Sequence, residues 1–163
     1  MIVVSDTSPI NALALINETR ILPALFGTVI IPPAVAAELS HPRTPAIVRD
    51  WLAARPDWLE VRSPKRIDPT LRIKDPGEKE AISLAMELNA DVLLADDQKA
   101  RRAARQRGLV VTGVVGVLEL ASARRMLALD DAFTRLRATN FLVTDDVLQD
   151  ALRRDVSRKA ARQ

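Results

Sequence analysis

The sequence predicts an α/β protein with a parallel, doubly wound sheet. Short apolar runs rich in Val, Ile and Leu alternate along the chain with segments that have the apolar spacing of helices. The first run, Ile2–Val4, is continuously apolar, as expected for a strand that is covered on both faces. It breaks off just before Asp6. Because ligands of open parallel sheets bind beyond the carboxyl ends of the strands, Asp6 is expected to face a binding site.

Five strands are predicted in chain order, namely Ile2–Ser5, Val29–Ile31, Trp58–Arg62, Val92–Ala95 and Leu109–Thr112. The third alternates with period two, which is typical of an edge strand, whereas the others are apolar along most of their length. Residues 141–143 are predicted as a short strand or an extended piece. The polar stretch 63–76 lacks periodicity and is interpreted as a loop rather than a domain boundary.

Apolar residues at helical spacing predict the helices, which are Pro9–Leu25, Ala34–Ser40, Ala46–Ala54, Gly77–Asn89, Gln98–Arg107, Val114–Met126, Asp130–Thr139 and Asp145–Arg154. Caps and breakers set their limits. Ser8 is expected to cap the first helix, which should break near Pro23. Pro32 and Pro33 stop the second strand and open the second helix, and Thr144 is expected to cap the last.

The length and composition predict one globular domain. With 163 residues, 48% of them hydrophobic and 28% charged, the chain can bury one core, and we expect a single domain over residues 1–155 followed by a disordered basic tail, 156–163. The absence of Cys excludes disulfides and thiolate metal sites, and His41 alone cannot form a histidine-rich zinc site. No signal peptide and no apolar run of membrane-spanning length are recognised, so a cytoplasmic location is expected.

The formal charge of +3 is small, but its distribution is uneven. Basic residues cluster between Lys99 and Arg107 and again from Arg153 onward, while acids follow the predicted strands. An acidic pocket within a basic surface suits a metal site that faces a polyanion, and solvated helix faces would explain the same pattern about equally well. Tyr is absent and aromatic residues make up 3%, which argues against a base-stacking platform.

Two predicted strands end in acids: Asp6 follows the first, and Asp96 and Asp97 follow the fourth. If these strands flank the switch point of the sheet, their carboxylates converge in one crevice. Glu38 and Glu78 belong to helices that should pack nearby. Clustered carboxylates repel one another, so a divalent cation is expected to hold them together, and an all-oxygen ligand set favours Mg²⁺ or Mn²⁺.

Each acid also has a structural alternative. Asp6 could start an Asx turn. Asp96 could be a helix N-cap and Asp97 a first-turn acid favoured by the helix dipole, and we expect one of the two to be structural. The same dipole would favour Glu78, and Glu38 alone could be a surface acid.

Five stretches together carry a resemblance to a known family: VVSDTSPIN at 3–11, IPPAVAAEL at 31–39, GEKEAI at 77–82, LLADD at 93–97 with AR at 100–101, and VTGVVGVL at 111–118. Taken in this order, over about the first 145 residues, they resemble the PIN domain, and more narrowly the prokaryotic PIN-like nuclease branch related to the VapC toxins.

The resemblance implies a three-layer α/β/α sandwich with a mainly parallel five-stranded sheet, in which three or four acids bind Mg²⁺ or Mn²⁺ and hydrolyse RNA. Carried over by position, the first acid is Asp6, the second Glu38, the third Glu78, and the fourth lies in the pair at 96–97. A supporting hydroxyl would come from Thr7 or Ser8. It also implies RNA as a partner, a homodimer, and for a toxin a small antitoxin protein, with no membrane involved.

We therefore predict a Mg²⁺- or Mn²⁺-dependent endoribonuclease. Asp6 and Asp96 are predicted as direct ligands of a cation, with Glu38, Glu78 and Asp97 holding a second ion or its waters. Three basic residues of the helix after the acid pair are predicted to hold flanking phosphates, namely Lys99, Arg101 and Arg102.

Two alternatives stay open. A strand-end Asp beside Mg²⁺ also serves as the nucleophile of phosphotransfer enzymes and phosphatases. In the haloacid-dehalogenase pattern, however, a second Asp would stand where this chain has Ser8. The other alternative is a catalytically silent PIN-like module that binds RNA or protein.

Overall fold

The computed structural model describes residues 1–163 and contains a five-stranded parallel sheet with helices on both faces. The strands are β1 (Val3–Ser5), β2 (Val29–Ile31), β3 (Leu59–Val61), β4 (Val92–Leu94) and β5 (Val111–Thr112). The helices are α1 (Thr7–Leu15), α2 (Ile21–Phe26), α3 (Pro33–Leu39), α4 (Ala46–Ala53), α5 (Pro76–Glu87), α6 (Gln98–Gln106), α7 (Val114–Ala123), α8 (Leu129–Arg137) and α9 (Asp145–Ala161).

The strand order is β3-β2-β1-β4-β5, with every pair parallel. The chain builds outward from β1 to β3 and then crosses to the other side of β1 to add β4. Val4 therefore lies between Ile30 of β2 and Leu93 of β4. The strand order reverses between β1 and β4, and the carboxyl ends of these two strands are the expected place for a ligand.

Alternate residues of the central strands enter two separate cores, as the two-residue period of a strand requires. Val3 and Leu94 pack into the larger core, with α1 to α4 and α7 to α9. Val4 and Leu93 pack into the smaller core, with α5 and α6. These two cores make the three layers of an α/β/α sandwich, and the predicted fold class is confirmed.

The first predicted helix is wrong in two respects. Its N-cap position is occupied by Asp6 rather than Ser8, and the side chain of Asp6 makes no capping hydrogen bond. The break lies between α1 and α2, where Asn17 has a left-handed φ of 57°, and not at Pro23. Pro23 is the third residue of α2, where a missing N–H costs no helical hydrogen bond.

The C-terminal region also differs from the prediction. Of the two alternatives for residues 141–143, a short strand or an extended piece, the strand does not form. The last helix does not end at Arg154 but continues to Ala161, so most of the predicted disordered tail is helical. The added turns are tied to α7 by Arg158, which donates to Glu119, and by Arg162, which donates to the carbonyl of Ala123. Within α9, the ammonium group of Lys159 lies 2.7 Å from Asp155. The helices of this structure are all too short or too polar to cross a lipid bilayer.

Candidate metal centre

Asp6 lies at the carboxyl end of the central strand β1 and is 5% exposed. Its backbone N–H donates to the carbonyl of Leu94, which continues the β1–β4 pairing by one residue. Oδ1 of Asp6 is buried and has no hydrogen-bond partner. Burial raises the pKa of Asp6 from 3.8 to about 7, the backbone N–H of Thr7 opposes the rise, and the charges of Glu78, Asp75 and Glu38 add to it. A cation beside this carboxylate would offset both the free-energy cost of burying its charge and the repulsion from the neighbouring acids.

Glu38 reaches the same crevice from α3. The hydroxyl of Thr7 donates to Oε2 of Glu38 at 2.6 Å, so one of the two predicted hydroxyls supports an acid directly. Burial raises the pKa of Glu38, and the Thr7 hydroxyl lowers it in part. The backbone N–H of Ala34 donates to Oε2 of Glu80 at 2.8 Å, which ties the start of α3 to α5.

The start of α5 brings two more carboxylates to the cluster. Asp75 is the N-cap and accepts a hydrogen bond of 2.8 Å from the backbone N–H of Glu78. Glu78 lies in the first turn, as the helix dipole favours. Its pKa rises to about 7, first because of burial and then because of the charges of Asp97, Asp75 and Glu38, while Lys99 lowers it.

Asp75 is an acid of this site that was not predicted from the sequence. It lies at the end of a polar stretch without periodicity, and its sequence neighbours do not show that the loop returns to β1. The dipeptide Asp75-Pro76 is a recognisable helix start, since Pro is favoured at the first helical position, and could have marked it.

Asp96 and Asp97 have different roles. Oδ1 of Asp96 accepts a hydrogen bond of 2.9 Å from the backbone N–H of Val114 at the start of α7, while Oδ2 is buried without a partner. Burial raises the pKa of Asp96, and the Val114 N–H, the charge of Arg101 and the Ser8 hydroxyl oppose the rise. Asp97 caps α6 through the N–H of Ala100 at 3.0 Å. The structural role expected for one of the pair therefore belongs to Asp97, although its charge still acts on Glu78.

The three predicted phosphate-binding residues are placed differently on α6. Arg101 is half-buried, donates to the carbonyl of Ala95 at 3.0 Å and lies close to Asp96. Lys99 is exposed but acts electrostatically on Glu78, and Arg102 is exposed on the helix surface. Arg101 is thus the only one of the three in direct contact with the β4 end of the site.

A groove of about 770 Å³ opens beside Asp96 and Arg101. It is also lined by Arg154 of α9, and part of its wall is formed by the apolar residues 141–143. Leu142 in this wall is 93% exposed. The groove gives a flexible polymer room to lie next to the β4 end of the acid cluster.

The donor set fits a hard divalent cation by two observations. Asp6 Oδ1 and Asp96 Oδ2 are buried acceptors without partners, and they follow neighbouring strands at the switch point of the sheet. The other groups at this edge are the carboxylates of Glu38, Asp75 and Glu78 and the hydroxyls of Thr7 and Ser8, and oxygen ligands are those that Mg²⁺ and Mn²⁺ prefer. As the side chains are oriented, no three His, Cys, Asp or Glu residues are grouped closely enough to hold one ion. Mg²⁺ keeps several of its waters and is usually bound through one or two carboxylates, so Asp6 and Asp96 would hold it together with water.

Comparisons with known proteins agree with this fold. Residues 2–156 match the DUF3368 family, which is described as a PIN domain. A solved structure of a PilT N-terminus domain protein from the hyperthermophilic archaeon Sulfolobus solfataricus is similar, with a TM-score of 0.54 and 17% sequence identity. The match covers 88% of this chain and 100% of that one. No curated protein matches the chain by sequence.

Proposed function

The chain belongs to the PIN-domain family, and from this premise we propose that it is a Mg²⁺- or Mn²⁺-dependent endoribonuclease whose site is the carboxyl edge of β1 and β4. PIN domains are generally nucleases and typically use divalent metals. The finer assignment to RNA rests on the resemblance to the VapC branch, and the assignment to these two ions rests on the carboxylate ligands of the site.

The observation that carries the proposal is the pair of buried, unpartnered carboxylate oxygens on Asp6 and Asp96. A buried polar atom without a hydrogen bond costs free energy, and a buried carboxylate with a raised pKa costs more when it ionises. Two such atoms at the ends of adjacent strands are explained together if both ligate a cation.

We assign Asp6 and Asp96 as direct ligands, and Glu38 and Glu78 as acids that complete the coordination or hold its waters. When bound, Mg²⁺ or Mn²⁺ supplies a water of lowered pKa and neutralises charge on the phosphoryl oxygens. Thr7 keeps Glu38 oriented through its hydroxyl. The carboxylate of Asp97 caps α6, so we assign it no direct contact with the ion. It contributes to the acid cluster through its charge, which acts on Glu78.

The basic residues of α6 bind the polyanion in this proposal. Arg101 lines the groove beside Asp96, where its guanidinium can contact a phosphate next to the one that is cleaved. Lys99 and Arg102 are exposed on the same helix and contribute charge, which strengthens binding without reading sequence. The groove has room for a single strand, and this favours RNA without a rigid duplex structure.

The test compares the wild type with Asp6→Asn and Asp96→Asn, which keep the size of the side chain. Wild-type protein is expected to cleave a diverse RNA pool in the presence of Mn²⁺ and to stop when EDTA is added. Each variant should lower the rate at least a hundredfold and weaken Mn²⁺ binding in calorimetry. Asp57→Asn, an exposed acid on the loop before β3, is the matched control and should behave as the wild type.

Wild-type protein that does not cleave the pool, combined with unchanged Mn²⁺ affinity of Asp6→Asn, would overturn the proposal. A covalent phosphoryl adduct on Asp6 would instead identify a phosphotransfer enzyme. RNA binding without Mn²⁺ binding would identify a silent binding module.

The resemblance to the VapC branch extends the proposal to a toxin role, with a small antitoxin protein as partner and a homodimer as the active form. Light scattering of the purified protein measures the dimer directly. Growth arrest on expression of the wild type, absent with Asp6→Asn, is the outcome expected for a toxin.

A further inference from the structure

Two glycines stand where a side chain would collide with the acids of the proposed site. A Cβ built on Gly77 would lie 2.5 Å from Oε1 of Glu38. A Cβ built on Gly113 would lie within 3 Å of Oδ1 of Asp96 and 2.7 Å from Nη1 of Arg101. In both cases the nearest atom belongs to the end of a side chain and not to the backbone.

The backbone does not require glycine at either position. Gly113 has φ −96° and ψ −175°, an extended conformation that any residue adopts. Gly77 is the second residue of α5 and has no positive φ. Glycine is less favourable than alanine in a helix, so its presence at position 77 calls for a reason other than backbone geometry.

Gly77 and Gly113 occupy similar positions, since each lies at the N-terminal end of a helix beside one acid of the site. Gly77 lies at the start of α5, and Gly113 is the N-cap residue of α7. Next to Gly113, the N–H of Val114 donates to Oδ1 of Asp96. Next to Gly77, Oε1 of Glu38 lies against the start of α5 while Thr7 holds Oε2. The partial positive charge of a helix N-terminus favours a carboxylate at both places.

We infer that Gly77 and Gly113 are positioning residues of the site: each leaves the space in which one carboxylate, that of Glu38 or Asp96, is held against the first turn of a helix. The inference rests on the proposed function, because its purpose is to fix these acids for cation binding. An added methyl group would not unfold the protein, since each carboxylate can swing away. It would move that carboxylate out of its place.

The experiment measures the Mn²⁺ affinity of Gly77→Ala and Gly113→Ala by calorimetry or electron paramagnetic resonance, without RNA. Loss of a group that orients a ligand typically weakens metal binding about 10- to 100-fold, and a loss in this range is expected for both variants. Thermal unfolding midpoints measured without metal should stay close to that of the wild type.

Gly116→Ala is the matched control. Its added Cβ would lie 2.7 Å from Cγ2 of Thr112, a collision of similar severity that involves no acid. We expect this variant to lose thermal stability and to keep its Mn²⁺ affinity. An equal loss of affinity in Gly116→Ala would overturn the inference, because the effect would then be a general result of tight packing.

A rescue separates positioning from a purely structural effect. Shortening Glu38 to Asp withdraws its carboxylate by one methylene group, so Gly77→Ala in the Glu38→Asp background should cost much less affinity than in the wild type. Gly77→Ala or Gly113→Ala with wild-type affinity, or purely additive losses in the double variant, would overturn the inference.

One measurement needs no metal, so that failure of the proposed function and failure of this inference can be told apart. If the wild type binds no Mn²⁺, the proposed function fails. The positioning role of Gly113 is then tested by the NMR chemical shift of the backbone amide proton of Val114, because this N–H donates to Asp96 in the wild type. An upfield shift of this resonance in Gly113→Ala supports the positioning role, and an unchanged shift refutes it.

Discussion

Replacing Asp6 by Asn is expected to change how the stability of the metal-free protein depends on pH. The pKa of Asp6 is about 7 in the folded protein, against 3.8 for the same group in an unfolded chain. The folded state therefore binds the proton on Asp6 more tightly than the unfolded state does. The stability that this tighter binding contributes is fully present below about pH 4 and is lost as the pH rises through about 7.

The size of the effect follows from these two values. Proton linkage gives a loss of about 3 kcal/mol in the free energy of unfolding between about pH 5 and about pH 8. For a domain of this length, such a change lowers the unfolding midpoint by roughly 6 to 12 °C. Asn carries no charge at either pH. The free energy of unfolding of the variant should therefore rise by that amount relative to the wild type as the pH rises.

The assay is urea or thermal unfolding followed by far-UV circular dichroism at both pH values, with EDTA present. The quantity of interest is the difference between wild type and variant, because acids that do not interact with Asp6 titrate alike in both proteins and cancel. The neighbouring Glu78 and Glu38 act on Asp6, so their response belongs to the measured difference. Asp57→Asn is the control and should follow the wild type. Parallel stability curves for wild type and Asp6→Asn would refute the reasoning, since the burial of an ionised Asp6 would then have no cost.

Three further perturbations test other parts of the structure. Mg²⁺ or Mn²⁺ at a hundredfold excess over its dissociation constant should stabilise the wild type at about pH 8 by about 2.7 kcal/mol, seen as a higher unfolding midpoint, and should not stabilise Asp6→Asn. Deleting residues 156–163 should cost about 1 to 3 kcal/mol, because it removes Lys159 and Arg158 from the buried Asp155; an unchanged urea midpoint would contradict the helical C-terminus. Phe133→Ala should cost about 3 to 5 kcal/mol in the same assay, since this side chain is fully buried in the larger core, and a cost below about 1 kcal/mol would contradict its packing.

The sequence was sufficient to predict the sheet because its signals are local. The strands β1 and β4 are short apolar runs followed by acids, and this pattern holds whatever the rest of the chain does. The positions of Asp6 and Asp96 beyond their strands followed from it. The pattern did not predict which of Asp96 and Asp97 has the structural role, because this depends on which carboxylate reaches Val114, a residue of another helix.

Features set by distant contacts could not be predicted. The left-handed Asn17 ends α1 without a strong breaker, while Pro23 is tolerated in the first turn of α2. The end of α9 looked like a basic tail because its apolar residues are few. What holds it are charged contacts, among them the hydrogen bond from Ser122 of α7 to Asp155 at 2.7 Å. Such pairs become visible only once the helices are packed.

The pairing of β1 with β4 has a consequence for how the protein acquires its site. Val3 pairs with Val92, so Asp6 and Asp96 meet only after nearly the whole intervening chain has been made and closed into a loop. Such long-range contacts form late and slowly in folding, because the entropy of closing the loop is paid before they form. A nascent chain on the ribosome therefore carries the strand of Asp6 long before it has a site.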